Sequence, residues 1–371
     1  MIRTFHAQNL RKSERIMHKN RPMKRETEST TETSLPSSVP PLSRVNDVNY
    51  EKVASEWLRH LRGKRSQVAF SRRLGYRSNI AYRWETGRCW PTAADALALV
   101  DKFGTDVRAA IRRFYGKDPS WMTSADPLSS EGVAAFLDDL RGQSSIADIA
   151  RRANVSRFAA ARWLSGDASP RLPAFLCMIQ ACSRRLLDFC ACLVEPAALP
   201  SLQAAWQQLT TARRLAYDAP WSQAVLRALE LDSYAKLPAH EPGWIARAIG
   251  VPVSVEDACL HGLLAADQVF FREGKYVVNS HPFVDTRYDP ARARQLKAWW
   301  LKVAEERLHA GSPGVWAYNL FSVSERDLAR LEELHRAYFR EMQRIVSEST
   351  PGERVALFCA QLFALDPRLK T

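Results

Sequence analysis

Shifted against itself by 79 residues, the chain repeats without a gap. LRHLRGKRS (58–66) meets LDDLRGQSS (137–145), Arg72-Arg73 meets Arg151-Arg152, and Arg83-Trp84 meets Arg162-Trp163. Gly87 meets Gly166, and Pro91 meets Pro170. Self-similarity at one fixed offset implies a tandem duplication, so residues 126–200 repeat the unit of residues 51–125.

The repeated unit reads as all-helical. Val53, Trp57, Leu58 and Leu61 recur at helical spacing over Tyr50–Arg62. From Ser66 to Pro91 runs SQVAFSRRLGYRSNIAYRWETGRCWP, which predicts two short helices joined by a tight turn. Val68 (with Ala69), Leu74, Ile80 and Trp84 fit a packed helix pair. Gly75 falls where the chain must reverse, and Gly87 closes the second helix. Pro91-Thr92 with Asp95 reads as the capped start of the next helix, whose apolar face continues through Leu97, Val100, Phe103 and Ile111. Gln67 opens the first helix of the pair, and Arg77, Ser78 and Asn79 open the second. From such positions a recognition helix offers side chains to base edges in a DNA major groove. The pattern S-Q-x-x-x-x-x-x-L-G-x-x-x-x-I-x-x-W-E-x-G-x-x-x-P resembles the Cro-repressor or xenobiotic-response-element (XRE) family of bacterial helix-turn-helix domains. The resemblance implies transcription control through double-stranded DNA. Arg77, Ser78, Asn79 and Arg83 would face bases, while Gln67, Arg72, Arg73 and Arg88 would hold phosphates.

The copies have diverged in charge. Residues 51–125 carry 15 basic and 7 acidic residues, whereas 126–200 carry 8 of each. Arg77-Ser78-Asn79 is matched by Ser156-Arg157-Phe158, Gln67 by Ile146, and Gly75 by Asn154, which tolerates the same turn conformation. Ser145 with Asp148 supplies the helix cap. Sequence reading is therefore assigned to the first copy. The second is either an auxiliary DNA contact through Arg151, Arg152, Arg157 and Arg162 or a packing module.

The flanks differ from the repeats. Residues 1–50 end in a Ser/Pro/Thr-rich run and predict disorder. Their first 25 residues hold eight Lys/Arg against one acid, an arm suited to phosphates or simply to solubility. Over 201–285 an apolar helix spans Trp221–Leu231. A helix at Trp244–Ile249, a turn at Gly250 and a helix at Ser254–Ala266 follow. Runs Val269–Arg272 and Lys275–Val278, joined by Glu273-Gly274, predict a hairpin. This is the order of a winged helix. Its second helix holds Glu256 and Asp257 and no Lys or Arg, which argues against DNA contact. Residues 286–371 predict three helices: Asp289–His309, one capped at Ser324 with Leu328, Leu331, Leu334, Tyr338, Met342 and Ile345 in a stripe, and one from Thr350-Pro351-Gly352-Glu353. Dimerisation is the role expected of this last region. The run from the Trp221 helix through WIARAIG, the wing, VWAYNLFSVSERDL and RVALFCAQLFALD is similar to an uncharacterised bacterial family. Its members resemble regulators with a repressor-like front and a winged-helix plus helical tail of unknown function.

A net charge of +13 favours a polyanionic partner. No apolar run is long enough to span a membrane, and no secretory signal is evident. Seven cysteines fit a reducing cytoplasm. Cys177, Cys182, Cys190 and Cys192 cluster, but the first three fall opposite Ala98, Phe103 and Ile111, read as core positions. Only Cys192, opposite Arg113, is expected to be exposed. No zinc spacing, nucleophile elbow or phosphate loop is found, so neither a metal, a cofactor nor a catalytic residue is assigned. The fold expected is mainly α: tandem repressor-like helix-turn-helix domains (51–125, 126–200), a winged helix with a small hairpin (201–285), and a helical domain (286–371) for dimerisation or an effector. The function expected is a cytoplasmic, nucleoid-associated transcription regulator acting as a homodimer, with an effector or protein partner left open. The alternative is an antitoxin-like protein-interaction or RNA-associated scaffold.

Overall fold

The computed structural model describes residues 48–279 and 284–365. Nearly all of the expected basic and Ser/Pro/Thr-rich arm lies outside the described residues. The fold is mainly helical, with one two-stranded antiparallel sheet among the described residues.

The first five helices are α1 (Tyr50–Arg62), α2 (Gln67–Arg73), α3 (Ile80–Glu85), α4 (Ala93–Lys102) and α5 (Val107–Tyr115). The next five are α6 (Ser130–Arg141), α7 (Ile146–Ala153), α8 (Arg157–Ser165), α9 (Leu172–Ser183) and α10 (Leu186–Leu193). Helix for helix, the second set follows the first at the 79-residue offset. Short polar side chains set the starts. Ser66, Asn79, Asp106, Ser145 and Ser156 each accept a backbone N–H of the first turn, and Thr92 with Asp95 forms a reciprocal capping box. The reversals sit at Gly75 (φ +87°) and at its counterpart Asn154 (φ +52°), the residue types for which left-handed backbone is least costly.

One apolar core runs through both sets, from Val53, Trp57 and Phe70 to Phe175, Phe189 and Leu202. Phe114, Phe136, Phe175 and Phe189 meet ring to ring at centroid distances of 5.5–6.1 Å, so aromatic surface from each copy is buried by the other.

The chain continues through α11 (Pro200–Asp218), α12 (Trp221–Ala228), α13 (Asp232–Ala235), α14 (Trp244–Ile249) and α15 (Val253–Ala265). Strands β1 (Val269–Arg272) and β2 (Lys275–Val278) then precede α16 (Pro290–His309) and α17 (Glu325–Glu348). Glu273 (φ +51°) and Gly274 (φ +78°) make the two-residue turn in which both centres are left-handed, pairing Arg272 with Lys275. Val225, Tyr234, Ile245, Leu260, Leu263 and Val269 form a second core.

Buried charge joins α11 to what precedes it. Glu56 on α1 accepts the Ser201 N–H (3.0 Å) and hydroxyl (2.6 Å). Arg213 donates to the Asp188 carboxylate (2.6 Å) and to the Asp285 carbonyl (2.7 Å), while Asp285 also takes Arg185 and Arg287. Burial pushes the Asp188 carboxyl above its ordinary range against the pull of Arg213. At Asp285 burial acts the same way, but the Arg287 and Arg185 guanidiniums outweigh it and hold the carboxyl low.

Several expectations are corrected. Val68 is 45% exposed and Ala69 is exposed too; the inward face of α2 is carried instead by Phe70 and Ser71. The helix from Trp221 ends at Ala228 rather than Leu231. Among the described residues no helix follows Pro351. The Gly352 carbonyl accepts the Asp232 N–H (2.8 Å) and Val355 packs on the second core, which ties the start of that run down without regular structure. An apolar run of this length has no periodicity that separates helix from strand. The α17 stripe is not a core: Leu334, Tyr338 and Ile345 are exposed. Cys192 is buried, because the α5 helix of the other copy covers it and Arg113 donates to its carbonyl (2.5 Å). Ala98, read as core, is exposed.

Candidate nucleic-acid interface

The geometry of α2 and α3 starts from one carboxylate. Glu85, at the end of α3 and with only 5% of its side chain exposed, accepts two bonds from Arg62 of α1 (2.6 and 3.3 Å) and one from the Gln67 amide at the start of α2 (2.9 Å). Arg59 stands 3.6 Å away. Burial would raise the Glu85 carboxyl; the Arg62 and Gln67 bonds and the charges of Arg62 and Arg59 outweigh it and keep its pKa low. Three helices are thus tied at one point. At the other end, the buried Ser71 hydroxyl donates to the Gln67 carbonyl (2.7 Å) and accepts the Ala81 N–H (3.0 Å). Asn79 caps α3 by accepting the Tyr82 N–H (3.2 Å). Trp84 is buried, with Tyr76 edge-on at 5.9 Å.

On this rigid pair the outward side chains are cationic. Arg72, Arg73, Arg77, Ser78, Arg83 and Arg88 are all exposed, and among the described residues none of the five arginines has an ion pair. Arg88 lies over the ring of Tyr82 (5.1 Å), itself exposed on α3, and Arg73 lies over Phe103 (5.8 Å). A shallow cleft of about 420 Å³ runs beside α3, lined by Tyr76, Ile80, Arg83, Trp90, Asp95 and Arg171 of the second copy.

Of the eight residues expected to touch DNA, six are exposed, Arg73 and Arg88 among them stacked on aromatic rings, and two are engaged in hydrogen bonds. Gln67 is committed to Glu85, and the Asn79 amide oxygen is committed to the α3 backbone. Both act as positioning residues for their neighbours. Tyr82, exposed on α3 beneath Arg88, is a further outward side chain of this pair that the sequence pattern did not single out.

The second copy keeps the scaffold and changes the chemistry. Glu85 and Gln67 are replaced by Leu164 and Ile146, so the polar tie becomes an apolar contact, and Arg141 turns to Asp138 (2.6 Å). Arg151 pairs with Asp148 (2.7 Å), Arg152 donates to the Ala181 carbonyl (3.2 Å), and Arg162 donates to the Asp167 carbonyl (3.3 Å). Arg157 is exposed without an ion pair among the described residues, and Phe158 beside it is 72% exposed.

Farther along, Glu256 is fully buried. It accepts the N–H groups of Gly243 (3.2 Å) and Ala246 (2.6 Å) at the start of α14, so it does not face an approaching duplex as the sequence suggested. Asp257 does stay exposed, and no cation joins it on α15. Among the described residues there is no cluster of His, Cys, Asp and Glu able to hold a metal, and no helix long and apolar enough to cross a membrane.

Residues 201–365 match the protein-family model described as a domain of unknown function (DUF4423), to which this part of the chain is similar. No curated protein matches the chain, and no solved structure does.

Proposed function

We propose that this chain is a sequence-specific DNA-binding transcription regulator in which α2 and α3 act as a helix-turn-helix in the major groove. Arg83 and Tyr82 of α3, with Arg77 and Ser78 of the turn, face base edges. Arg72, Arg73 and Arg88 hold phosphates and set the register. One observation carries this reading: five exposed arginines, without carboxylate partners among the described residues, surround a helix pair that the Arg62–Glu85–Gln67 tie holds in one geometry. Unpaired cations on a fixed frame keep their charge for phosphate and lose little freedom on binding. Helices α14 and α15 with the hairpin form a winged helix that stays off the DNA, since the exposed side of α15 offers Asp257 and no cation.

The alternative, a protein-interaction scaffold, draws on the other end of the chain. Val315, Tyr318, Leu320, Phe363 and Leu365 are largely exposed, as are Leu334, Tyr338 and Ile345 of α17, and so much exposed apolar surface suits a protein contact. In the regulator this tail is the homodimer contact.

A gel shift with fragmented genomic duplex against structured RNA, across a salt series, tests the assignment. Duplex selected over RNA, with affinity falling steeply as salt rises, is the expected result. Preference for RNA, or equal binding to every duplex, would overturn it.

A further inference from the structure

The two copies touch each other through equivalent residues. Thr92 pairs as an antiparallel bridge with Arg171, its own counterpart at the 79-residue offset. The Ala93 N–H donates to the Pro170 carbonyl (2.8 Å) and the Leu172 N–H to the Pro91 carbonyl (3.0 Å). Exchanging the copies turns the first of these bonds into the second. Elsewhere Arg113 donates to the carbonyl of Cys192, again its counterpart. Helix α5 lies on α10, and α1 lies on α9 as α6 lies on α4. A residue that touches its own image lies on a two-fold axis, and the separate self-pairs at 92/171 and 113/192 define one. The covalent repeat is folded as a pseudo-symmetric dimer inside a single chain.

A two-fold axis sets equivalent elements at equal height along it. Helices α3 and α8 therefore flank the 92/171 bridge on the same side of the molecule, one on each side of the axis. That is the arrangement by which two-fold helix-turn-helix proteins meet successive turns of one groove. The side chains they offer are unlike. Around α3 stand Arg77, Tyr82 and Arg83. On α8, Phe158 occupies the position of Asn79, with Arg157 before it and the Arg162 guanidinium over its ring (5.7 Å). Phe158 fills no place in the core. An exposed aromatic ring between arginines suits the methyl group of thymine, with the guanidiniums for guanine or phosphate.

Building on the proposed DNA-binding role, we infer that one chain reads a non-palindromic duplex site of two unlike half-sites, α3 taking one and α8 the other. This resolves the second copy as a reader and not only as a packing module. It also means that the two-fold pairing such reading requires needs no second molecule.

The test is selection of bound duplexes from a randomised pool by the full chain, repeated with Arg83→Ala and with the double variant Arg157→Ala/Phe158→Ala. All three side chains are exposed, and thermal melting confirms that each variant is folded. The expected result is a bipartite consensus of unlike halves, centred roughly 10 base pairs apart. Arg83→Ala flattens base preference in one half only and the double variant in the other only, each lowering affinity roughly 5- to 100-fold. A palindromic consensus in which Arg83→Ala flattens both halves, with the double variant binding as wild type, would overturn the inference and leave DNA reading intact. Absence of any enriched duplex would sink both.

Discussion

The two copies share a backbone plan and differ in what holds it. In the first, the α2–α3 pair is fastened to α1 by a carboxylate shared between Arg62 and Gln67; in the second, the same junction is closed by Ile146 and Leu164. A polar tie specifies one geometry because its donors and acceptor must align. An apolar contact holds as well while spending no charge. The second contrast lies at α5 and α10. Asp188 of α10 is buried against Arg213 of α11, whereas its counterpart on α5, Ala109, is exposed. Both copies thus meet α11 through a buried carboxylate, Glu56 of the first by hydrogen bonds to Ser201 and Asp188 of the second by an ion pair, and the second copy's exposed arginines are largely answered by local acceptors. In the first copy Arg72, Arg73, Arg77, Arg83 and Arg88, around α2 and α3, are exposed and have no ion pair among the described residues. Duplication supplied two frames, and divergence gave one a buried ion pair to α11 and the other a cluster of exposed arginines around α2 and α3.

This comparison can be broken first at the anchor. Arg213→Ala leaves the buried Asp188 with Arg185, 3.7 Å away, as its remaining cation and is expected to cost about 3 kcal/mol in chemical denaturation. Ala109→Ser, at the equivalent place on α5, should shift the midpoint little. Equal effects would show that α11 does not distinguish the copies.

Next in size is the polar tie. Glu85→Leu leaves the Gln67 amide and the Arg62 Nε without their acceptor, while Arg62 Nη1 keeps the Gly63 and Arg65 carbonyls, and should lower stability by about 2 kcal/mol. Adding Gln67→Ile, which recreates the junction of the second copy, should recover part of that loss. If the double variant is no more stable than Glu85→Leu, the two junctions are not interchangeable. The tie also carries a pH signature. The folded pKa of Glu85 lies below its ordinary value of 4.5, so its contribution is complete above that pH and is lost as pH falls through the lowered folded value. Glu85→Gln should remove that part of the acid limb in pH-dependent melting.

Two binding measurements sharpen the contrast in charge. Arg73→Ala should weaken every duplex alike and reduce the salt slope by about 1. The smallest effect is expected from Asp148→Asn, which frees Arg151 in the second copy from its 2.7 Å partner and should raise the salt slope slightly without changing the selected sequence. A changed consensus would mean that Asp148 shapes base reading itself.

Much of the frame was legible before any coordinates. Gly75, Asn154, the caps at Thr92 and Ser145, and the Glu273-Gly274 turn are local solutions to local backbone problems, and each stands where the residue types place it. Side-chain facing was less legible. Val68 and Phe70 are both apolar and two residues apart, so the helical period alone could not choose between them; contact with Phe103 at 5.3 Å did. In the tail, neither the α17 stripe nor the run after Pro351 carries information about what should cover it.

The sequence by itself determined the duplication, the helical class, the turns and the excess of positive charge, because periodicity, capping and net charge are properties of neighbouring residues. Only the tertiary structure decided that the copies face each other across a two-fold axis. It decided too that Cys192 and Glu256 are buried, and that Gln67 and Asn79 are spent on positioning. Those outcomes depend on which surfaces meet, and burial by a partner far along the chain leaves no mark on the residues beside it.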